Sequence, residues 1–434
     1  MALLTNIISA IGNNSSIYPL IVRDCGIEVP IKVYKTYKQN KEDKEIAYLS
    51  TRERLIDEYA TSAVWLGGIP LIGKICNTFI KKKGFAPNVS VKLLTPSADK
   101  LQSLDVNINK FSAYEDARAA VEELKQVKSN CIRFKKLMSC KLFAEMVIPI
   151  LLMGFVIPKA VYALTAATRK KTEEIKILEA KKSYQKCAMN EFIKKSNFEN
   201  NFCGNLSSSL CELSTLQKMA ITDGGYAIGR VATARKKKGA IDIAFKMIGM
   251  LYLNFIAPKQ IEKLLNGLTK LIFKLDINLD PKILADNMFV KQILGNKLEL
   301  PKSDNLSDIL DFIDNQKNNN SLFVRYAEKT GKIKLLNGQI RDPRFFVDKK
   351  ALSELRRNMI NYANMILTNS RKIKSNKEIA KAVKKNALRA RTAKTFNILS
   401  NVALSSYLLA CCLPNLQYFL REKILKTKLE PDLV

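Results

Sequence analysis

The sequence predicts a mainly α, membrane-associated fold with a small β-hairpin near its N-terminus. Two observations carry that expectation. Four times an apolar run reaches a proline, a helix-compatible stretch follows, and a basic residue or group comes next. The runs are AVWLGGIP, MVIPILLMGFVIP, MIGMLYLNFIAP and VALSSYLLACCLP, ending at Pro70, Pro158, Pro258 and Pro414. The chain also carries a formal charge of +32, from 72 basic and 40 acidic residues, while 47% of it is hydrophobic. Enough apolar material is present for a core, and the charge excess implies anionic partners.

From the N-terminus, residues 16–35 read as strand. Ile27, Val29, Ile31 and Val33 alternate with Glu28, Pro30, Lys32 and Tyr34, and period two is the strand signature. Asp24-Cys25-Gly26 supplies a turn, which completes the expected hairpin of residues 1–50. The leading residues, MALLTNIISAIGNNSS, lack a basic start and make a poor secretory signal.

Ser50-Thr51-Arg52-Glu53 has the capping-box spacing and predicts a helix start. Gly67-Gly68 predicts its stop, and Pro70 suits the first turn of a new helix. A short strand is expected at Val89–Leu94. A long helix is expected from Tyr114 to Lys141, with Ala120, Val121, Leu124 and Val127 on its apolar stripe. A charged helix should follow at Thr172–Lys195. Asp223-Gly224-Gly225 reads as a turn, since neither phosphate-loop nor dinucleotide spacing is present. A short amphipathic helix is expected at Leu306–Ile313 and a polar linker at Asn315–Asn320. Asp348 should cap a helix whose inner face is Leu352, Leu355, Met359, Ala363 and Ile366. Lys372–Lys394 is basic and helix-compatible. The chain thus divides into a hairpin region (1–50), a helical region with three proline-ended segments (51–270), a mixed soluble region (271–347) and a basic helical region (348–434).

Charge-free length bears on membrane insertion, because a spanning helix needs about 20 apolar residues. The fourth run is free of charge for 26 residues, from Thr395 to Leu420. The first, second and third have 15, 13 and 12, lengths that also suit half-inserted hairpins. The second run, between Glu145 and Lys159, is expected to return to the side it entered, with both charges snorkelling to an interface. The four prolines are read as helix breaks. Their separations of 88, 100 and 156 residues show no fixed period, which argues against a solenoid.

The chemistry is narrowed by what is missing. The chain has no histidine, which excludes histidine acid–base catalysis, triads and histidine metal sites. Nine cysteines are scattered without a CxxC pair, so neither a disulfide framework nor a zinc site is expected. Cys187, Cys203 and Cys211 form the one loose cluster. No cofactor or metal and no enzymatic activity are expected. The expected role is a non-enzymatic membrane-associated helical protein, in scaffolding or membrane organisation, with basic regions facing the cytoplasm. Its lipid-binding cations would be Lys81, Lys82, Lys83, Arg169, Lys170, Lys171, Arg235, Lys236, Lys237 and Lys238, each worth about 1 kcal/mol at an anionic surface. The alternatives are a soluble nucleic-acid-binding protein whose apolar runs are core helices, and a small polytopic transporter. Lys381–Lys394 has the charge for nucleic acid, but no aromatic residue is interleaved with its cations.

Overall fold

The computed structural model describes residues 7–8, 10, 18–94, 100–169, 213, 215–275, 277–295, 297–370 and 376–426. These residues are mostly helical, with one two-stranded antiparallel sheet. In chain order the helices are α1 (18–40), α2 (Lys44–Lys82), α3 (Leu104–Phe111), α4 (Arg118–Ser129), α5 (Cys131–Thr168), α6 (Thr215–Ala232) and α7 (Lys237–Phe273). Then come α8 (Pro281–Leu284), α9 (Asn287–Leu294), α10 (Leu306–Asp314), α11 (Leu322–Lys329), α12 (Lys349–Ser370) and α13 (Glu378–Leu425). Strands β1 (Leu335–Leu336) and β2 (Ile340–Arg341) pair between α11 and α12. The expected helix at Thr172–Lys195 lies outside the described residues.

The N-terminal hairpin is corrected to a helix. Residues 18–40 form α1 because their polar groups recur every four positions: Glu28, Lys32, Thr36 and Asn40 all lie on its buried face. Lys32 pairs with Glu28 one turn away, and the Thr36 hydroxyl donates to the Lys32 carbonyl at 2.9 Å. The apolar alternation that suggested a strand is outweighed by these contacts. The one hairpin among the described residues sits instead at 335–341.

The prolines are not breaks. Each of α2, α5, α7 and α13 runs on through its proline, and so does α1 through Pro30. In all five, a π-turn ends two residues before the proline: Val22–Glu28, Val64–Gly68, Leu152–Val156, Tyr252–Ile256 and Leu408–Cys412. Proline lacks the amide donor and its ring strikes the carbonyl four residues back. Widening that turn moves the carbonyl aside, so the helix continues. Gly67-Gly68 accordingly lies inside α2, and α5 is one continuous helix rather than a returning hairpin. At 1.5 Å per residue, the 38 residues of α5 span about 57 Å. The start of α2 is Asp43, whose carboxylate accepts from the amides of Glu45 and Ile46. Ser50 lies in its interior. Asn130, at φ −131° and ψ 42°, separates α4 from α5, dividing the expected long helix. The strand expected at Val89–Leu94 is a 3-10 turn from Val91 to Leu94.

Four helices, α2, α5, α7 and α13, are long and apolar enough to cross a membrane. They are packed inside out. Ile248 of α7, Phe396 of α13 and Ile75 of α2 are 69%, 68% and 61% exposed, while Lys32, Glu58, Asp242, Lys246 and Arg421 are buried between helices.

Among the described residues one arrangement of bundle helices occurs twice. The chain's first half runs α1, α2, a lobe drawn from the described residues of 83–130, and α5; its second runs α6, α7, a lobe drawn from the described residues of 274–370, and α13. Contacts between helices fix their directions. Helices α2 and α5 are antiparallel, since Arg52 bonds Thr168 at 2.6 Å and Lys141 bonds Asn77 at 2.7 Å. Helices α7 and α13 repeat this, with Thr269 bonding Asn397 at 3.3 Å and Lys238 bonding the Leu425 carbonyl at 3.2 Å. Each short helix packs on the last helix of the other half. Helix α6 lies on α5, where Gly229 and Gly154 meet so closely that a Cβ on Gly229 would lie 2.9 Å from the Gly154 Cα. Helix α1 lies on α13, where the Lys35 amine bonds the Cys411 carbonyl at 3.0 Å. The expected turn at Asp223-Gly224-Gly225 is therefore interior to α6, and neighbouring Gly229 serves close packing.

Both lobes hang from the same end of the bundle and form one body. The first has its core around Phe85, Val91, Phe111, Leu124 and Phe134, and Ile340 of β2 is buried in that core. The second has its core around Phe289, Ile309, Phe323, Leu352 and Tyr362. Helices α10 and α12 lie there as the sequence implies, with all five inner-face residues of α12 buried. Asp314 ties the lobes together. It accepts from Arg341 Nε at 2.8 Å and from Lys110 Nζ at 2.8 Å. Burial raises the Asp314 carboxyl, but bonds and charge from Arg341 and Lys110 outweigh it and hold it below the usual carboxylate range. A lowered folded value contributes stability above the unfolded value, near pH 4, and loses it as pH falls through the folded value. Asp314→Asn should therefore destabilise the joined lobes by about 3 kcal/mol at neutral pH, since it strands a buried guanidinium. Hydrogen exchange in the full chain should show this difference shrinking as pH is lowered toward about 3.

Candidate functional site

Helix periodicity builds the site. On α2, Ser50, Arg54, Glu58 and Ser62 recur every four residues and so share one face. On α1, Asp24, Glu28 and Lys32 do the same. Helix α7 contributes Asp242 and Lys246, again four apart, and α6 contributes Arg230. These faces meet inside the bundle. Lys246 Nζ lies 2.9 Å from Glu58 Oε1, Arg54 Nε lies 3.1 Å from the same oxygen, and Lys32 lies 3.9 Å from Glu58 Oε2. Arg230 pairs with Asp57. The Ser62 hydroxyl donates to Asp24 at 2.5 Å. Asp242 accepts from Arg421 at 2.6 Å and from Gln417 at 2.7 Å.

The two repeats explain where this network sits. Arg54 and Glu58 lie 16 and 12 residues before Pro70; Asp242 and Lys246 lie 16 and 12 before Pro258. The charges are exchanged between the halves: cation then anion in α2, anion then cation in α7. Glu58 and Lys246 are thus counterparts, and they touch. In a two-fold arrangement, a residue touches its own counterpart only at the axis. The same correspondence holds in the other long pair. Lys141 and Glu145 stand 17 and 13 residues before Pro158, as Asn397 and Asn401 stand before Pro414. Lys141 bonds Asn77 and Asn397 bonds Asn266, on matching turns of α2 and α7.

One cavity adjoins the axis and another lies toward the lobes. A cavity of about 80 Å³ is lined by Arg54, Asp57, Tyr162, Arg230, Asp242 and Lys246, among others. Asp57 Oδ1 and Arg230 Nε and Nη1 are buried without a hydrogen-bond partner in the protein. Such groups need polar company, so this cavity is suited to water or a small polar solute. A cavity of about 940 Å³ lies on the lobe side, between α1, α6, α7, α13 and the second lobe.

The cations expected to bind lipid do not come together. Lys81, Lys82 and Lys83 are exposed at the lobe end of α2. Lys236, Lys237 and Lys238 are exposed at the opposite end of the bundle. Arg235 turns inward, 2.6 Å from Glu53 and with its guanidinium 3.9 Å from the Tyr162 ring centre. Arg169 ends its helix near the Lys236 side, while Lys170, Lys171 and the cysteines Cys187, Cys203 and Cys211 lie outside the described residues. Glu145 does not snorkel. It is 4% exposed and pairs with Lys218. The charged axis escaped the sequence reading because charges were counted as interruptions of apolar runs. The four-residue spacing of opposite charges ahead of Pro70, Pro158 and Pro258 was the available signal.

No family model matches the chain, and no curated protein or solved structure matches it.

Proposed function

We propose that the protein is a polytopic membrane transporter that moves a small polar solute along the axis between its two halves. One observation carries the reading: the oppositely charged counterparts Glu58 and Lys246 meet at the centre of two repeats, beside a polar cavity. Charged groups inside membrane helices are costly and mark solute or ion pathways. Repeats of parallel orientation, with the site at their interface, are the architecture of alternating access. The apolar exterior of the same helices suits lipid, and the basic rims at both ends suit anionic head groups. A scaffolding role needs neither the buried charges nor the cavities.

Topology follows from the directions of the helices. In a background without native cysteines, single cysteines at Glu122 and at Lys302 should react with an impermeant thiol reagent from one side of the membrane. Cysteines at Lys237 and at Lys423 should react only from the other. Labelling of all four from one side would refute spanning.

Transport is tested with purified protein in liposomes and a panel of labelled amino acids, carboxylates, phosphates and polyamines. At least one should be taken up faster than by empty liposomes. Glu58→Asp, which keeps the charge and shortens its reach, should cut that uptake tenfold or more while leaving the protein monodisperse. No uptake across the panel, or uptake indifferent to Glu58→Asp, counts against the proposal.

A further inference from the structure

The larger cavity points to the class of solute, an inference that rests on the transport reading. We propose that the cavity on the lobe side captures small organic anions through their phosphate or carboxylate groups. Its volume of about 940 Å³ is at the upper end of the usual range for ligand sites, about 300–1,000 Å³. Seven cationic side chains line it against three carboxylates. Two of those carboxylates are already engaged: Glu262 lies 3.2 Å from Lys394, and Asp280 accepts from the Lys282 amide at 2.7 Å.

The cations come from both sides of the cavity. Arg23 of α1 stands on the bundle side, 4% exposed, and its Nε has no hydrogen-bond partner in the protein. Lys259 and Lys263 stand one turn apart on α7, and Lys329 and Lys332 reach across from the second lobe. One sign of charge in a concave, low-dielectric wall focuses the field and concentrates counter-ions. An anion with two or more charged oxygens would bridge α7 and the lobe, which single-charged or neutral solutes cannot do. The same chemistry could be carried by a soluble solute or by a lipid head group.

The test is binding to the purified full-length protein, followed by thermal shift and titration calorimetry. The probes are citrate, glycerol 3-phosphate and a short-chain phosphatidic acid, with sodium chloride at matched ionic strength and spermidine as controls. At least one anionic probe should bind, and Lys263→Glu with Lys332→Glu should weaken it tenfold or more. Both positions tolerate charge change without stranding a buried partner. Lys81→Glu with Lys82→Glu, the same charge change elsewhere at the lobe end, should leave binding within about twofold. Preference for citrate and glycerol phosphate assigns the cavity to soluble anions; preference for the lipid assigns it to head groups. Equal effects of chloride, or binding indifferent to Lys263 and Lys332, overturn the inference. Uptake of spermidine without anion binding would sink it and leave transport standing. Anion binding without uptake of anything would do the reverse.

Discussion

Glu58→Gln is expected to lose most of the bundle's stability. The substitution leaves Lys246, Arg54 and Lys32 clustered around a neutral side chain. Removing one partner of a buried pair costs about 3–5 kcal/mol, and here one carboxylate serves three cations. Lys246→Met should cost less, because Arg54 and Lys32 remain near Glu58. Adding Lys246→Met to Glu58→Gln should recover part of the loss, since it removes one stranded charge. A thermal-unfolding series of parent, two single variants and the double variant measures this coupling. Simple additivity of the two losses would show that the pair is not a unit.

Gly229→Leu should separate the two halves. Any Cβ there meets the Gly154 backbone at 2.9 Å, closer than carbon atoms approach. Backbone cannot swing away as a side-chain end can, so α6 must lift off α5. Overpacking costs about 1–3 kcal/mol for modest insertions, and a leucine at a backbone-to-backbone crossing should exceed that. The expected result is aggregated or unfolded protein by size-exclusion chromatography, with Gly229→Ala intermediate. Gly224→Ala, where no atom lies within 4 Å of a new Cβ, should elute as the parent does. A normal profile for Gly229→Leu would mean that the crossing is not a packing contact.

The elements most legible in sequence were those whose burial follows apolar periodicity. Helix α12 was read with its whole inner face, Leu352 to Ile366, and α10 within one residue of its end. The four proline-ended runs correspond to the four long apolar helices. Their extent was underestimated for a physical reason. The third run was given 12 charge-free residues, yet its helix is 37 residues long. Asp242 and Lys246 had seemed to end it, but charges satisfied inside a bundle do not end a helix. Helix α1 was lost the same way: its buried face is polar, so its apolar residues gave a strand-like pattern. The prolines and glycines misled because their effects were judged locally. A π-turn accommodates a proline without a chain reversal, and a glycine pair can lie within a helix when a neighbouring helix fixes its path. The axis itself joins residues 188 positions apart in sequence, and only the match of positions before Pro70 and Pro258 foreshadows it.

The π-turns of neighbouring helices lie at one level of the bundle. Those of α2 and α5 pack against each other, as do those of α1 and α13. Arg23 in the first of them, and Asn254 and Phe255 in that of α7, form part of the wall of the 940 Å³ cavity, while the 80 Å³ cavity lies beyond, among the charges. Tightening one of these π-turns to α geometry would drive the carbonyl four residues back onto the proline ring, so each proline holds its own turn open. The two cavities are therefore separated by a layer of widened helix that its own prolines keep from closing up.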